Sequence, residues 1–263
     1  MSVFDFSPAI SAYFLVFSLV FGAVFGSFCN AWAWRIVHHE KITKGRSHCP
    51  KCGHTLGLGD LIPIVSWLVR KGRCKYCGNP ISVRYLLSEL ILGLYFMSVI
   101  AVYGLSLDTL RFWALGCFLL VMSLEDIDIM EIENGLQIGA AACVLLKLGQ
   151  PDFFRSILSG IAVAAVLLIL VLIFEKVLKR EAMGGADIKL VAVLGLHFGL
   201  LQTLYLIIIA CIVGLLAAVI LKKGFGREFP FGPSLAIAAW ITILTGPAAV
   251  SAYKSLFSIS MLH

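Results

Sequence analysis

Apolar residues run through this chain in stretches of about 20, the length at which a helix crosses the hydrocarbon core of a bilayer. Pro8–Trp34, Ser156–Phe174, Thr203–Leu221 and Phe231–Tyr253 contain no Asp, Glu, Lys or Arg. Tyr85–Leu107 is interrupted by Glu89 and Thr109–Leu124 by Arg111. Asn134–Gly149 and Ile188–Gly199 are shorter, with Gly and Ala among their apolar residues. Together these stretches predict about eight membrane helices. One sizeable polar block, residues 35–84, holds Gly, Pro and charge and no apolar run of spanning length. The expected fold class is an all-α polytopic membrane protein in three parts: a first transmembrane helix within 1–34, a small polar insert at 35–84, and a helical membrane domain over 85–263. Gly and Ala in the later spans are expected to let helices approach closely.

Composition agrees. Hydrophobic residues make up 60% of the 263 positions and charged residues 14%, against about 25% charged in soluble proteins; the mean hydropathy is +0.97. The first span lacks a basic start and a small-residue cleavage site, so it is expected to be retained. Orientation follows from Lys and Arg, which favour the cytoplasmic side. The insert holds ten of the 21. Placing it in the cytoplasm puts Lys176, Lys179, Arg180, Lys189, Lys222, Lys223 and Arg227 inside too, and leaves Arg111, Lys147, Arg155 and Lys254 elsewhere. Both termini are then expected outside. The net charge of +6 reads as a topology signal, and no nucleic-acid partner is expected.

The insert carries the clearest motif. Cys49-Pro-Lys-Cys52 and Cys74-Lys-Tyr-Cys77 are two C-x-x-C knuckles, a spacing suited to a four-thiolate zinc site. Four thiolates close the coordination sphere, which makes the metal structural and offsets the small core of such an insert. Gly53 and Gly78 follow the knuckles, where a turn calls for positive φ. A redox pair needs only one knuckle. His48 and His54 flank one of them as possible substitute ligands. Cys29, Cys117, Cys143 and Cys211 lie in spans and are expected to be packing residues.

Two acidic spots interrupt the apolar pattern: Asp126-Ile-Asp-Ile-Met-Glu-Ile-Glu-Asn134, and Asp187 within Gly184-Gly-Ala-Asp-Ile-Lys-Leu190. Span counting brings both to the cytoplasmic ends of membrane helices. Ionisable residues at that depth point to function. Two carboxyls that share a site divide one proton between them, the arrangement that activates water in aspartic proteases. Asp187 opens a helix, whose positive end favours an anion and hence a resting base. Asp126 closes one, whose negative end favours the acid. The plainer alternatives are a helix-start carboxylate pairing with Lys189 and a solvated loop acid.

In four ordered segments the chain resembles the bacterial type IV prepilin peptidases. These are Gly26-Ser-Phe-Cys-Asn30 with Arg35, the cysteine insert continuing to Leu90, and the two aspartate motifs. The resemblance implies Asp126 and Asp187 as the catalytic pair and prepilins or pseudopilins as substrates, cleaved after Gly and before a Phe-like residue. It also implies a bacterial inner-membrane location in the lipid bilayer, and N-methylation of the new amino terminus with S-adenosylmethionine. The methyl transfer is associated with the insert, and Glu89 is the expected methyl-donor residue; its alternative is a salt bridge to Arg84. Glu133 stands where the family has Pro, and Ala186 where it has Gly. Glu125, Asp128, Glu131 and Glu133 are expected to attract a basic leader. A peptidase without methyl transfer, a transporter and an inactive scaffold are the competing readings.

Overall fold

The structure, a computed structural model, describes residues 2–41, 46–151, 153–178, 184–220 and 229–260. Of the basic residues used for orientation, Lys44, Lys179, Arg180, Lys222, Lys223 and Arg227 lie outside the described residues. Regular structure among the described residues is helical: α1 (Pro8–Val37), α2 (Val65–Val69), α3 (Val83–Tyr103), α4 (Leu107–Ile129), α5 (Asn134–Ala142), α6 (Phe153–Leu178), α7 (Gly185–Phe198), α8 (Leu200–Ile220) and α9 (Gly232–Ser260). Six of them, α1, α3, α4, α6, α8 and α9, are long and apolar enough to cross a membrane. Their outward faces are apolar, as with Val16, Val20, Val24 and Phe28 on α1 and Leu168, Ile169 and Leu172 on α6. Faces of that kind suit hydrocarbon, and a soluble protein rarely exposes them together. The chain is a multi-pass membrane protein.

The two shorter predicted spans are helical but do not reach spanning length. Asn134–Gly149 divides into α5 and a 3-10 turn at Cys143–Lys147. Ile188–Gly199 forms the body of α7, whose 14 residues rise about 21 Å against a core of about 30 Å.

The chain divides into two compact units, Met1–Ile129 and Met130–His263. In the first, α1 packs on α3 and α4. Small residues set the approach of α1 to α3: a Cβ on Gly22 would lie 2.5 Å from the Leu92 carbonyl oxygen, and one on Gly26 2.5 Å from that of Ser88. Backbone therefore touches backbone, the packing that lipid favours because apolar burial drives little association there. Helices α3 and α4 are joined by aromatics. Phe96 and Trp113 stack with centroids 4.6 Å apart, Trp113 Nε1 donates to the Phe96 carbonyl at 3.0 Å, and the Tyr95 hydroxyl donates to that of Phe112 at 2.7 Å.

In the second unit α6 and α7 meet through glycines, a Cβ on Gly195 falling 3.0 Å from Gly160 Cα. His197 Nε2 bonds the Ala140 carbonyl at 3.0 Å and so ties α7 to α5. Tyr205 and Thr245 share a hydroxyl contact of 3.1 Å between α8 and α9.

Candidate functional site

The two knuckles of the insert have the same local architecture. Cys49 N–H donates to the His54 carbonyl at 2.9 Å and Gly53 N–H to that of Cys49 at 2.8 Å; Cys74 N–H donates to Asn79 at 2.9 Å and Gly78 N–H to Cys74 at 3.0 Å. Each turn closes on a glycine with positive φ, +69° at Gly53 and +70° at Gly78, as the sequence predicts. The Sγ atoms of Cys49, Cys52, Cys74 and Cys77 all lie within 4.8 Å of one another, with Cys49 and Cys77 at 3.9 Å. A zinc ion with Zn–S bonds of about 2.3 Å separates its tetrahedral sulfurs by about 3.8 Å, so the four residues can hold one.

Their electrostatics also suit a cation. The Asn79 backbone N–H, helped by its side-chain amide, brings the Cys77 thiol down to about 6. At Cys49 burial is outweighed by the backbone N–H groups of Cys52 and Lys51, and the thiol is lowered. Cys52 is pushed up to about 11, because burial and the Cys49 and Cys77 sulfurs overcome the His54 backbone bond. The thiolates compete for charge, and a bound cation relieves that competition. The flanking histidines have other contacts: His54 stacks on Tyr76 at 3.5 Å, and His48 sets its edge against Trp34 at 6.0 Å.

Beneath the knuckles, where the insert meets α1 and α3, lies a cavity of about 390 Å³ whose lining includes Trp34, Cys49, Trp67, Cys74, Tyr85 and Glu89. Asp60 organises its wall. It accepts from Gly57 N–H at 2.9 Å and the Tyr76 hydroxyl at 3.2 Å and pairs with Arg70. The Gly57 N–H first, and then Arg70, hold this carboxyl below the usual range against the opposing effect of burial. Glu89 is 6% exposed, and its Oε2 accepts from the Ile64 N–H at 2.6 Å. Ile64 reaches it at φ +64°, a conformation rare for a β-branched residue. The sequence alternative of a Glu89–Arg84 salt bridge is not what forms. Arg84 Nη1 instead forks onto Asp128 at 2.7 and 2.6 Å, and its Nε donates to Asn30 at 3.0 Å.

Asp126 lies buried in the last turn of α4. That helix runs to Ile129 and stops at Met130, where φ is +55°, about a turn beyond the expected end near Leu124. The Arg84–Asp128 pair joins this final turn of α4 to the start of α3. The expected four-acid surface is reduced accordingly: Glu125 is buried and Asp128 is in the ion pair, while Glu131 and Glu133 are exposed.

Asp187 is the third residue of α7, its N–H bonded to the Gly184 carbonyl at 3.0 Å. Its carboxylate folds towards Gly184, where a Cβ would come within 3.3 Å of Oδ2. Lys189, the suggested partner of Asp187, donates to Asn134 Oδ1 at 2.9 Å. Gln137 Nε2 donates to the Ala186 carbonyl at 3.2 Å, so α5 anchors the segment that carries Asp187.

Carboxyls placed at helix ends, away from midspan helix breaks, mark a membrane enzyme more than a carrier. The comparisons with known proteins agree. Residues 20–103 match the bacterial peptidase A24 N-terminal domain, and residues 113–219 match the type IV leader peptidase family. The prepilin leader peptidase/N-methyltransferase of Bacillus subtilis (strain 168) is 32% identical over 243 residues, which cover 89% of this chain and 95% of that protein. The type 4 prepilin-like proteins leader peptide-processing enzyme of Escherichia coli O78:H11 is 32% identical over 263 residues, 92% of this chain and 97% of that one. A prepilin leader peptidase/N-methyltransferase of Myxococcus xanthus is 33% identical over 221 residues, 82% of this chain and 66% of its own length. No solved structure matches the chain. The chain belongs to the type IV leader peptidase family.

Proposed function

We propose that this protein cleaves the basic leader from type IV prepilins and pseudopilins with Asp126 and Asp187, and methylates the new amino terminus with S-adenosylmethionine. Family membership over most of the chain, with a carboxyl kept at both motif positions, is the observation that carries this reading. It favours an enzyme over a transporter or a scaffold.

Asp187, in the first turn of α7, stands at the helix end that favours an anion. It acts as the base that takes a proton from water. Asp126, in the last turn of α4, acts as the acid that protonates the scissile carbonyl oxygen as the water oxygen bonds to its carbon. The tetrahedral diol then collapses: its hydroxyl proton returns to Asp126, the C–N bond breaks, and the proton on Asp187 passes to the departing amine. Ala186 in place of Gly narrows the approach of substrate backbone to Asp187.

The four cysteines hold a structural zinc. The cavity below them suits one small ligand by volume, and its buried Glu89 together with the indoles of Trp34 and Trp67 suits a cationic one. S-adenosylmethionine bound there supplies the methyl group. The insert and both aspartates face the cytoplasm, with the termini outside.

The test is prepilin cleavage by the wild type, Asp126→Asn and Asp187→Asn, with the methylation state of the product read by mass spectrometry in the same assay. Loss of cleavage in both variants, with fold and zinc content retained, is expected. Cleavage by either variant at the wild-type rate overturns the assignment.

A further inference from the structure

Part of the insert lies at membrane depth. The Ile64 N–H reaches Glu89 Oε2 at 2.6 Å, and Glu89 Cα is 2.8 Å from where a Cβ on Gly26 would stand. Ile64 is therefore level with Gly26, which is about 27 Å along α1 from Pro8; the hydrocarbon core is about 30 Å thick. Trp32, Trp34 and Arg35 follow about two turns later, and Trp and Arg are residues that gather at a membrane interface. The first knuckle sits at that later level, with His48 edge-on to Trp34. Ile64 is thus about 12 Å deeper than this knuckle.

The side chains around Ile64 suit that depth. Leu58, Ile62, Val65, Leu68 and Val69 are all at least half exposed, from 50% at Ile62 to 88% at Leu58. Val65, Leu68 and Val69 share one face of α2, opposite Trp67, which walls the cavity. Leu61 shares a second cavity of about 230 Å³ with Val24, Phe28 and Trp32, so the apolar outer surface of α1 continues onto the insert. Asp60 is the one charge in residues 58–69, and it turns inward to Arg70. Lys71 and Arg73 follow at once and are exposed. Single apolar side chains on a surface need no explanation, but a patch of this kind marks a membrane or protein contact. The depth of Ile64 decides between them, because a partner arriving through water would have to enter the bilayer to reach it.

We propose that residues 58–69 dock in the bilayer leaflet on the insert's own side. Their apolar face meets the upper acyl chains, and Lys71 and Arg73 reach up to the phosphates. The backbone meets the demand of that setting. Ile64 N–H is held by Glu89, Ser66 N–H bonds the Ile62 carbonyl and Leu68 N–H that of Ile64, both at 3.0 Å, and Pro63 has no N–H to satisfy. The insert is then fixed to the membrane at a third place besides its two ends, and lipid braces the wall that Asp60 and Trp67 give the cavity.

The test places the photoreactive residue p-benzoylphenylalanine at position 65 or 69, with position 51 in the first knuckle as the control. Each protein is full-length, zinc-loaded and present at one copy per phosphatidylcholine nanodisc. Positions 65, 69 and 51 are exposed, so zinc content should equal that of the wild type. After irradiation, the chain should gain the mass of one phosphatidylcholine several-fold more often at 65 and 69 than at 51. Fragmentation should put the new bond on an acyl chain. Lipid adducts no more frequent at 65 and 69 than at 51, or confined to the headgroup, overturn the proposal. A cross-link to a second copy in discs loaded with two, or to added prepilin, in place of the lipid adduct also overturns it, since the patch is then a protein-docking surface.

Discussion

Gly26→Ala tests the helix contact that seats the cavity's acid. A Cβ at this position lies 2.5 Å from the Ser88 carbonyl oxygen and 2.8 Å from Glu89 Cα. Both neighbours are backbone of α3, so no side-chain rotation relieves the clash. Carbon and oxygen need a little over 3 Å, which requires α1 and α3 to part by about 0.7 Å near Glu89; overpacking of this kind costs about 1–3 kcal/mol. Two further glycines isolate the cause. Gly59 has nothing within 4 Å of its would-be Cβ and no positive φ, so Gly59→Ala should be neutral within about 0.5 kcal/mol. Gly53 has equally open space but φ +69°, so Gly53→Ala should cost about 1 kcal/mol through backbone conformation alone. The assay is the thermal unfolding midpoint in one detergent, with the affinity for S-adenosylhomocysteine measured in parallel. The midpoint should fall for Gly26→Ala, and ligand affinity should fall with it as Glu89 shifts. A Gly26→Ala midpoint equal to that of Gly59→Ala would refute the close-contact argument.

Asp126→Asn and Asp187→Asn should each lower prepilin cleavage by about 10³-fold or more, with unfolding midpoints within a degree or two of wild type. Metal analysis should find one zinc per chain, and Cys77→Ser should abolish retention through detergent exchange. The depressed Asp60 carboxyl contributes stability above its unfolded value of about 3.9 and loses it as pH falls through its folded value. Nicking by pepsin between α2 and the second knuckle, measured on protein held at each pH, should therefore rise as pH falls below about 4, and Asp60→Asn should remove that step.

The long spans were legible because runs without Asp, Glu, Lys or Arg have few other uses. The knuckles were legible down to the positive φ of Gly53 and Gly78, because turn geometry and thiolate spacing are local. What escaped was non-local. The end of α4 is tied to α3 by a pair 44 residues apart in sequence, Arg84 and Asp128, which no periodicity reveals. Glu89 was singled out as a buried acid, but its partner is the Ile64 backbone N–H, and backbone donors carry no sequence mark. Gly22 and Gly26 lie within a strongly apolar helix, where periodicity does not mark a contact; Gly26 stood out only as part of a family segment, and the packing role was expected of the later glycines, while these two set the α1–α3 approach. Asp126 was separable from the acids around it only through the family's motif, although burial divides Glu125 and Asp126 from Glu131 and Glu133.

The paired knuckles also act on the unfolded chain. Each is a self-contained turn, and the two are joined by the segment that carries Asp60, Ile64 and Trp67, much of the cavity's wall. A metal gripping both turns is a cross-link that closes this loop of about 20 residues, which removes about 3 kcal/mol of entropy from the disordered ensemble if it behaves as a disulfide does. The cavity below the knuckles would then be walled by ion capture, and a cell short of zinc would make a protein whose membrane helices are in place while that cavity has no wall.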